Sequence, residues 1–303
     1  MTSGEQAMTA ISVLTCTRNP RGGVYQRVID ALAAQTFERE AWEYVVVDNA
    51  SVQFPEIDLK GLGRAQVIKE AKPGKIHAVL AGLEVCKGRM IVIVDDDNVL
   101  APDYLEVAWR IFQEKSFLGV WGGSIVPEFE TPPDPRWARH TKLLTHYDVE
   151  RVSWSNSHLC PAPAGAGMCL RCEVADRFAR NVEGGGALFE MGRTGEAVPG
   201  VDDWEMAMSA CDLGLGMGKF PLLKLVHVIS KERIGLDYLL KLQENTAWAY
   251  QVYTTIRPEL QSLRHCRESC WSGLARWCEE LRMDPVERSF SRAFRRGVKR
   301  AKR

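Results

Sequence analysis

A run of apolar residues that ends in three aspartates constrains the fold of this chain more than any other feature. Residues Met90 to Val94 include four consecutive β-branched residues, and Asp95, Asp96 and Asp97 follow directly. Such runs are typical of strands that are buried on both faces of a parallel sheet, and ligands bind beyond the carboxyl ends of those strands. The pattern therefore predicts a buried strand whose carboxyl end carries acids toward a ligand crevice.

Two interpretations of the acidic triplet remain open at this point. Adjacent carboxylates repel each other and resist removal from water, so they need either solvent or a divalent cation beside them. In the first interpretation the triplet holds a metal ion. In the second it is an acidic turn, in which Asp97 or Asn98 caps a helix that begins near Pro102.

The first third of the sequence alternates strand and helix signals. This alternation favours an α/β fold with a mostly parallel sheet and helices on both faces. Because ligands in such sheets bind at the carboxyl ends of strands, the loops that start at Cys16, Asp48 and Asp95 should face one crevice. The predicted elements are strands at 11–15, 44–47, 66–69 and 90–94, with helices near 24–32 and 76–83.

The rest of the chain has a different texture, with a predicted helix after Pro102 and helices beyond Gly235. Gly184 to Gly195 is rich in glycine and is either a surface loop or a lid that orders on ligand binding; we favour the lid. The remaining predictions are strands at 119–126 and 164–170 and a proline-rich loop at 127–135. We expect one domain over 1–234, with halves at about 10–118 and 119–234, and a helical extension over 235–303.

Charge is balanced overall but concentrated at one end. The chain has 39 basic and 39 acidic residues, which argues against a general attraction to nucleic acid. Residues 288–303 contain eight basic residues and no acidic one, so residues 1–287 carry a formal charge of −8. Phe290, Phe294 and Val298 follow each other at four-residue spacing among these arginines. The pattern predicts either a basic amphipathic helix on an anionic membrane or a solvated tail.

Cysteine usage and hydropathy suggest a location. Nine cysteines scattered over 303 residues argue for reduced thiols. No apolar stretch approaches the roughly 18 residues of a membrane span, and the first residues lack the pattern of a secretory signal. We expect a cytoplasmic protein, peripheral at the inner membrane face if the tail binds lipid. A zinc site at Cys169 and Cys172 with His158 and Cys160 is a weak alternative, because the spacing fits no zinc motif that we can justify.

An ordered set of short motifs resembles glycosyltransferase family 2, whose members are inverting enzymes with the GT-A fold. The similarity covers about residues 10 to 235. It implies a Rossmann-like, mostly parallel twisted sheet flanked by helices, here with a helical C-terminal extension. The motifs are Thr15-Cys-Thr-Arg-Asn19, Val-Val-Asp48-Asn-Ala-Ser51, Pro73-Gly-Lys75, Asp95-Asp-Asp97, Pro102-Asp-Tyr-Leu105, Gly165-Ala-Gly167 and Gly200-Val-Asp-Asp-Trp-Glu-Met206.

The resemblance implies a role for each matching position. Asp97 and Asp95 match the DxD motif that holds Mn2+ or Mg2+, and His227 matches a metal-ligand histidine found in some members. Asp203 matches the catalytic base, but Asp202 replaces the usual glutamate before it, so the base lies with one of these two aspartates. The implied nucleotide-sugar-binding residues are Thr15, Thr17, Arg18, Asn19, Asp48, Lys75, Asp95 and Asp96. The implied acceptor- or sugar-binding residues are Gly165, Ala166, Gly167, Trp204 and Glu205.

Several of these positions have a purely structural alternative. Acids such as Asp202, Asp203 and Glu205 are favoured at the amino end of a helix by the backbone dipole. His227 lies within an apolar strand, where a histidine is more often a core residue, and Trp204 is equally suited to the core or to stacking on a sugar. Gly165 to Gly167 could simply mark a bulge in the chain.

The function that the resemblance implies is metal-dependent, inverting transfer of a sugar from a nucleoside-diphosphate sugar to a hydroxyl group. The acceptor is expected to be a glycan or a lipid-linked glycan, in polysaccharide or cell-surface glycan biosynthesis. Two alternatives remain. One is a sugar nucleotidyltransferase, for which Cys16 to Gly23 only loosely supplies the required phosphate loop. The other is a non-catalytic module that binds nucleotide or glycan.

Overall fold

A computed structural model of the chain describes residues 9–159, 162–184, 201–260 and 283–302. The first half confirms the predicted alternation, with each strand and helix within a few residues of its expected bounds. Its elements are β1 (Ile11–Thr17), α1 (Gly22–Ala33), β2 (Trp42–Asn49), β3 (Ala65–Glu70), α2 (Lys75–Val85), β4 (Met90–Ile93), β5 (Asn98–Leu100) and α3 (Tyr104–Glu114).

The second half adds longer and more irregular elements. These are β6 (Leu118–Phe129), β7 (Ser153–Ser155), β8 (Cys169–Arg171), α4 (Cys172–Gly184), α5 (Asp202–Asp212), β9 (Gly216–Ile229), α6 (Leu236–Ile256) and α7 (Pro285–Arg300). The described part of the chain contains no helix that is long and apolar enough to cross a membrane.

One mixed sheet runs through the protein, in the order β3-β2-β1-β4-β8-β6-β9-β5, with β7 paired to β9. Strands β3, β2, β1 and β4 are parallel to one another. Strand β8 is antiparallel to both β4 and β6, whereas β6 and β9 are again parallel. The helices flank this sheet, which is the GT-A fold that we expected.

Strand β4 lies inside the sheet with both faces covered. All four of its residues are buried, and Val92 and Val94 have no exposed surface. Fully burying a Val or Ile side chain stabilises a fold by roughly 1.5–3 kcal/mol, so this short run anchors the centre of the protein. Leu14 of β1 pairs with Ile93 of β4, and the parallel register brings the segments after both strands to the same edge.

The helix-cap interpretation of the acidic triplet is wrong. Strand β5 intervenes between the triplet and α3, and the residue that precedes α3 is Asp103. Asn98 of β5 pairs with His227 of β9, and the backbone N–H of Val228 donates to the carbonyl of Asp97 at 2.9 Å. The turn after β4 is therefore held against β9, and this pairing brings His227 beside the triplet.

Two strand predictions had wrong boundaries for identifiable reasons. Strand β6 continues through Pro127. The N–H of Ile125 donates to the carbonyl of Tyr147, on the side of β6 away from β9. The backbone nitrogen of residue 127 lies on the same side, because N–H groups two residues apart in a strand point the same way. A proline is tolerated where no ladder bond to β9 is lost. The strand predicted at 164–170 is reduced to β8, because Gly167 has a φ of 69° and the N–H of Met168 donates back to Gly165.

The C-terminal helices pack onto the rest of the fold. Apolar residues of α5 and α6 form one buried cluster, so the hydrophobic core spans the predicted boundary at 234/235. Helix α7 lies against α6, and a methyl group on Gly297 would come within 2.0 Å of the carbonyl oxygen of Glu244. Phe290 stacks on His140 with 3.6 Å between ring centroids. The apolar face of the basic helix is thus covered by protein.

Some predictions fall on residues that the structure does not describe. Apart from Gly184, the predicted glycine-rich lid lies outside the described residues, as do Cys160 and the region 261–282. Cys169 is buried and its thiol contacts the Gly167 carbonyl, whereas His158 pairs with Asp212 at 3.1 Å. The zinc alternative is therefore wrong for the residues of that set that are described.

Candidate active site

A cavity of about 980 Å3 opens where β1 and β4 end. Its walls come from the loops after the strands, from the start of α5 and from one face of α6. The predicted site residues that line it are Thr17, Arg18, Asn19, Lys75, Asp95, Asp96, Asp97, Gly165, Ala166, Asp202, Asp203, Trp204 and His227. Residues more than 100 positions apart in the sequence thus share one cavity.

The two acidic groups meet through a single lysine. The Nζ atom of Lys75 lies 3.3 Å from Oδ1 of Asp95 and 3.3 Å from Oδ2 of Asp202. Asp202 is buried, and Lys75 is mostly shielded from solvent, so these contacts are screened less than surface pairs are. The cavity therefore combines a lysine with acids from both motifs.

The turn before α2 places Lys75 at the cavity. Gly74 has a φ of 136°, a backbone conformation that residues other than glycine rarely adopt. Asn49, at the end of β2, accepts a hydrogen bond from the N–H of Gly74 at 2.8 Å and donates to the carbonyl of Lys72 at 2.7 Å. The end of β2 therefore holds the turn from which the lysine projects.

Asp203 has the environment of a weakly acidic carboxyl group. Burial raises its pKa to about 6, and the charge of the neighbouring Asp202 adds to this shift. The N–H of Trp204 donates to its Oδ1 at 2.9 Å, and the N–H of Gly165 also donates to the carboxylate. A methyl group on Gly165 would lie 3.0 Å from Cβ of Asp203, so the glycine keeps this approach close.

Asp96 is a partly buried acid with a raised pKa. Burial, and then the adjacent Asp97, raise its pKa to about 6. Its Oδ2 accepts a short hydrogen bond from the hydroxyl of Thr17, which joins the ends of β1 and β4. One oxygen of the Asp96 carboxyl group is therefore already used in a hydrogen bond that stabilises the base of the cavity.

Asp97, His227 and Arg233 form a compact cluster. Oδ2 of Asp97 lies 3.4 Å from Nε2 of His227 and 3.0 Å from Nη1 of Arg233. Asn98 donates to the other carboxylate oxygen of Asp97 at 2.9 Å. Within the described part of the chain, no three His, Cys, Asp or Glu side chains gather into a complete metal cage.

The donor pair of Asp97 and His227 nevertheless fits a divalent cation. Both Mg2+ and Mn2+ prefer oxygen ligands, and Mn2+ also accepts an imidazole nitrogen. In nucleotide sites these ions take only one or two protein ligands beside phosphate oxygens and water. Asp95 lies on the same wall of the cavity, paired with Lys75. The residues present are therefore suitable for a metal that is shared with a phosphorylated substrate.

The loop after β1 is tied to the loop after β2. The N–H of Asn19 donates to the hydroxyl of Ser51 at 2.8 Å, and the N–H of Val52 donates to Oδ1 of Asn19 at 2.8 Å. Asn19 and Ala50 both have positive φ angles, near 52° and 53°. These bonds hold Thr17, Arg18 and Asn19 along the cavity wall.

Four predicted site residues do not line the cavity, and three of them bond to nearby groups of the fold. Thr15 is fully buried within β1 and accepts a hydrogen bond from Tyr44 at 3.0 Å. Asp48 accepts a hydrogen bond from the N–H of Ser51. Its side chain points to the opposite face of β2 from Asn49, which lines the cavity. The carbonyl of Gly167 accepts from the hydroxyl of Tyr104 at 2.6 Å. Direct ligand contact by these three residues is not what the structure shows.

Glu205 is also corrected, because its side chain is buried away from the cavity. Its side chain is only 1% exposed. It accepts a hydrogen bond from the hydroxyl of Tyr253 at 2.8 Å, and both of its carboxylate oxygens accept hydrogen bonds from the guanidinium of Arg257. Arg257 also contacts both oxygens of Asp212, at 3.0 and 2.9 Å. Glu205 joins α5 to the end of α6 and is not placed to bind a sugar.

Trp204 is partly a packing residue and is also open to the cavity, so its contact with a sugar stays a prediction. It lines the cavity, and it also packs against Tyr250 and Tyr253 of α6 with centroid distances of 5.9 and 5.7 Å.

Other cavity residues were not predicted. Arg233 and Glu232 lie in the turn after β9, and α6 presents Tyr238, Leu242 and Thr246. No local motif marks them, although the apolar and polar spacing of α6 indicates a helix with two differing faces. Cys16 lines the cavity as expected of the loop that it begins. The other residues for which no role was predicted are Asn49, Gly74, Ala78, Asn98, Leu143, Leu144 and Thr145.

Comparison with known proteins gives a family and a fold. The sequence model described as Glycosyl transferase family 2 matches residues 12–170, more than half of the chain. A solved structure of the mannosyltransferase PcManGT from Pyrobaculum calidifontis, in complex with GDP-Man and Mn2+, superposes with a TM-score of 0.59. The two sequences are 15% identical, and the match covers 96% of this chain and 86% of the other. A search of curated proteins finds no match.

Proposed function

The chain belongs to glycosyltransferase family 2, and from that premise we propose that it transfers a sugar from a nucleoside-diphosphate sugar to a hydroxyl group, with inversion at the anomeric carbon. One observation carries the proposal. Lys75 contacts an acid of the DxD motif and Asp202 beside the candidate base, all within one cavity. Such a cavity can bind a charged donor on one side and deprotonate an acceptor on the other.

The donor side is formed by the loops after β1, β2 and β4. We assign nucleotide-sugar binding to Thr17, Arg18 and Asn19, together with Lys75, Asp95 and Asp96, all of which line the cavity. Arg18 and Lys75 supply positive charge for a diphosphate group. Thr15 and Asp48 act indirectly in this assignment, by holding the neighbouring strands and turn in place.

Mn2+ or Mg2+ would be held by Asp97 and His227, with Asp95 nearby. A bound cation would supply Lewis-acid stabilisation of the negative charge that develops on the departing diphosphate. The structural relative PcManGT was solved with GDP-Man and Mn2+, which supports a metal and makes GDP-mannose the first donor to test.

We assign the general base to Asp203. The acceptor oxygen would attack the anomeric carbon while its proton passes to the carboxylate of Asp203, and the bond to the diphosphate oxygen would break in the same displacement. A base works best when its pKa lies near the working pH, and the pKa of Asp203 is already raised to about 6. Asp202 is paired with Lys75, which makes it the weaker candidate. Gly165, Ala166 and Trp204 would border the acceptor.

The pH dependence of the reaction distinguishes the two aspartates. If Asp203 is the base, kcat/KM should fall as the pH drops through about 6, because the carboxylate becomes protonated. Asp202→Asn removes the neighbouring negative charge, so it should lower the pKa of Asp203 and move this acid limb to lower pH. Turnover above the limb should stay within about tenfold of wild type.

The measurement is the pH profile of kcat/KM for both proteins. Loss of turnover at every pH in Asp202→Asn would instead make Asp202 the base. An acid limb that does not move would show that the two carboxyl groups do not interact as the geometry indicates.

The proposed function is tested with a panel of nucleoside-diphosphate sugars that starts with GDP-mannose. Release of nucleoside diphosphate is measured with Mn2+ or Mg2+ and after chelation, and the anomeric configuration of the product is read by NMR. Transfer with inversion that is lost on chelation supports the proposal. Retention of configuration, or full activity after chelation, contradicts the inverting or the metal-dependent part respectively.

The same assays address the two alternatives. A sugar nucleotidyltransferase would release pyrophosphate from a nucleoside triphosphate, and a binding module would release neither product. Membership of a glycosyltransferase family disfavours both.

We also propose that the acceptor is a glycan or lipid-linked glycan and that α7 brings the enzyme to an anionic membrane. Because the apolar face of α7 packs on α6, attraction would come from charge and not from insertion. The exposed basic residues of α7 and of the turn after it are Arg292, Arg296, Lys299, Arg300 and Lys302. A place in polysaccharide or cell-surface glycan assembly at the inner membrane face would be consistent with such an attachment.

Vesicle binding tests this proposal. The protein should sediment with phosphatidylglycerol vesicles at low salt, and not with phosphatidylcholine vesicles or at high salt. The double variant Arg292→Glu, Lys299→Glu should weaken binding by roughly 1 kcal/mol or more for each reversed charge. The same reversal at exposed Lys60 and Arg110 is the control. Equal weakening by both pairs would mean that net charge, and not α7, attracts the protein.

A further inference from the structure

Arg233 contacts both donor atoms of the proposed metal site. Its Nη1 lies 3.0 Å from Oδ2 of Asp97 and 3.2 Å from Nε2 of His227, and these two atoms are themselves 3.4 Å apart. The guanidinium thus lies at the point where a cation would find its protein ligands. A role for Arg233 in loading this site rests on the proposed function, which is what makes the site a metal site.

The contact with His227 defines the protonation of the imidazole ring. A guanidinium has only N–H donors, so Nε2 of His227 must accept from Arg233, and the ring proton must be on Nδ1. Nδ1 is buried and makes no hydrogen bond within the described part of the chain. The tautomer that accepts from Arg233 is also the one that binds a metal through Nε2. The histidine is therefore ready for a cation without moving its proton.

Arg233 and a cation cannot use this histidine together. An imidazole nitrogen offers one lone pair, whereas a carboxylate oxygen offers two. The single lone pair of Nε2 is engaged by Arg233, so a metal can bind His227 only after this hydrogen bond breaks. Bringing a divalent cation next to a guanidinium would also be repulsive.

The surroundings allow Arg233 to leave. It belongs to a short turn after β9, residues Lys231–Ile234, and a quarter of its side chain is exposed to the cavity and solvent. The same cavity is where the diphosphate would lie, and a diphosphate is a strong partner for a guanidinium.

We propose that Arg233 is a displaceable counterion that occupies the cation position in the ligand-free protein and transfers to the diphosphate when metal and donor bind. When the metal binds alone, it must displace the guanidinium of Arg233, which then gains no diphosphate as a new partner. Metal with a diphosphate provides that partner. Cation and diphosphate therefore bind cooperatively, and Arg233 is the positioning residue that couples them.

The test is binding of Mn2+ alone to four folded proteins, with the free ion measured by electron paramagnetic resonance. Arg233→Gln should bind Mn2+ about fivefold to tenfold more tightly than wild type, because the competing cation is gone. Arg110→Gln removes the same charge from the exposed surface outside the cavity, and should stay within about twofold of wild type. Asp97→Asn should lose the site, and circular dichroism checks that each variant folds.

A second measurement addresses the coupling. Melting temperature is recorded with Mn2+, with inorganic pyrophosphate and with both, because a ligand that binds only the folded state raises it. In wild type the rise with both should exceed the sum of the separate rises, and this excess should shrink in Arg233→Gln but persist in Arg110→Gln.

The outcomes separate this inference from the proposed function. Equal Mn2+ affinity of wild type and Arg233→Gln, with loss in Asp97→Asn, overturns the role of Arg233 and leaves the metal site standing. If Asp97→Asn binds Mn2+ as wild type does, or if no variant binds it with or without pyrophosphate, the metal site and the inference both fail. Sugar transfer itself would then be judged by the donor assay.

Discussion

Asp203→Asn is expected to lower kcat by about two to four orders of magnitude, the usual contribution of a general base. The substitution keeps the shape of the side chain and the oxygen that accepts from the N–H of Trp204, so the start of α5 should not rearrange. Donor binding should change little, because the nucleotide-binding residues lie on the other elements of the cavity. Steady-state kinetics with saturating donor and calorimetry with nucleoside diphosphate measure the two quantities.

The same variant should also be more stable at neutral pH. The pKa of Asp203 is raised from 3.8 in an unfolded chain to about 6 in the fold. A raised acid pKa favours folding when the group is protonated, and that contribution is lost as the pH rises through about 6. Replacing the carboxylate should therefore raise the melting temperature at pH 8 and have little effect at pH 4. Unchanged turnover would show that Asp203 is not the general base. A fall in stability at pH 8 would contradict the view that the ionised carboxylate of Asp203 destabilises the fold.

Arg257→Met is expected to destabilise the protein by about 3–5 kcal/mol, because it leaves the buried carboxylate of Glu205 and the partly buried one of Asp212 without their shared partner. Glu205 and Asp212 are 1% and 9% exposed, and Arg257 contacts four of their oxygen atoms. These contacts join α5, which carries Asp203, to the end of α6. Urea unfolding followed by circular dichroism measures the loss in the free energy of unfolding.

Arg296→Met is the matched control for this prediction. Arg296 pairs with Glu244 between α7 and α6, but the two side chains are 57% and 26% exposed. An exposed pair contributes about 0–1 kcal/mol, so the control should lose little stability. Adding Glu205→Gln to Arg257→Met should recover part of the loss, since it removes one of the unpaired charges. Equal small losses in both single variants would show that the buried network does not hold α5 in place.

The central strand and its acids could be predicted from local sequence. Four β-branched residues before Asp95 specify a strand that is buried on both faces, and the parallel topology places its carboxyl end at the ligand edge. Lys75 was predicted from the resemblance to family 2, in which Pro73-Gly-Lys75 matches a motif before a helix. These features depend on neighbours within about ten residues, so they can be recognised from the sequence alone.

The errors at Asp48 and Glu205 came from side-chain direction. Asp48 and Asn49 are consecutive in β2, so they point to opposite faces, and Asn49 is the one at the cavity. Glu205 is two positions after Asp203 in α5, and residues two apart do not share a face of a helix. Helical periodicity does not exclude Glu205 from the cavity, because Asp202 lies three residues before it and lines the cavity. The packing against Tyr253 and Arg257 decides its position.

The sequence by itself determined the strands, the order of the motifs and the acidic character of the site, because each depends on local pattern. Only the tertiary structure decided which acids meet Lys75, that Arg233 pairs with Asp97 and His227, and that α6 closes one wall of the cavity. These pairings join residues far apart in the chain. They depend on sheet register and helix packing, which minimise the free energy of the whole fold and leave no local signature.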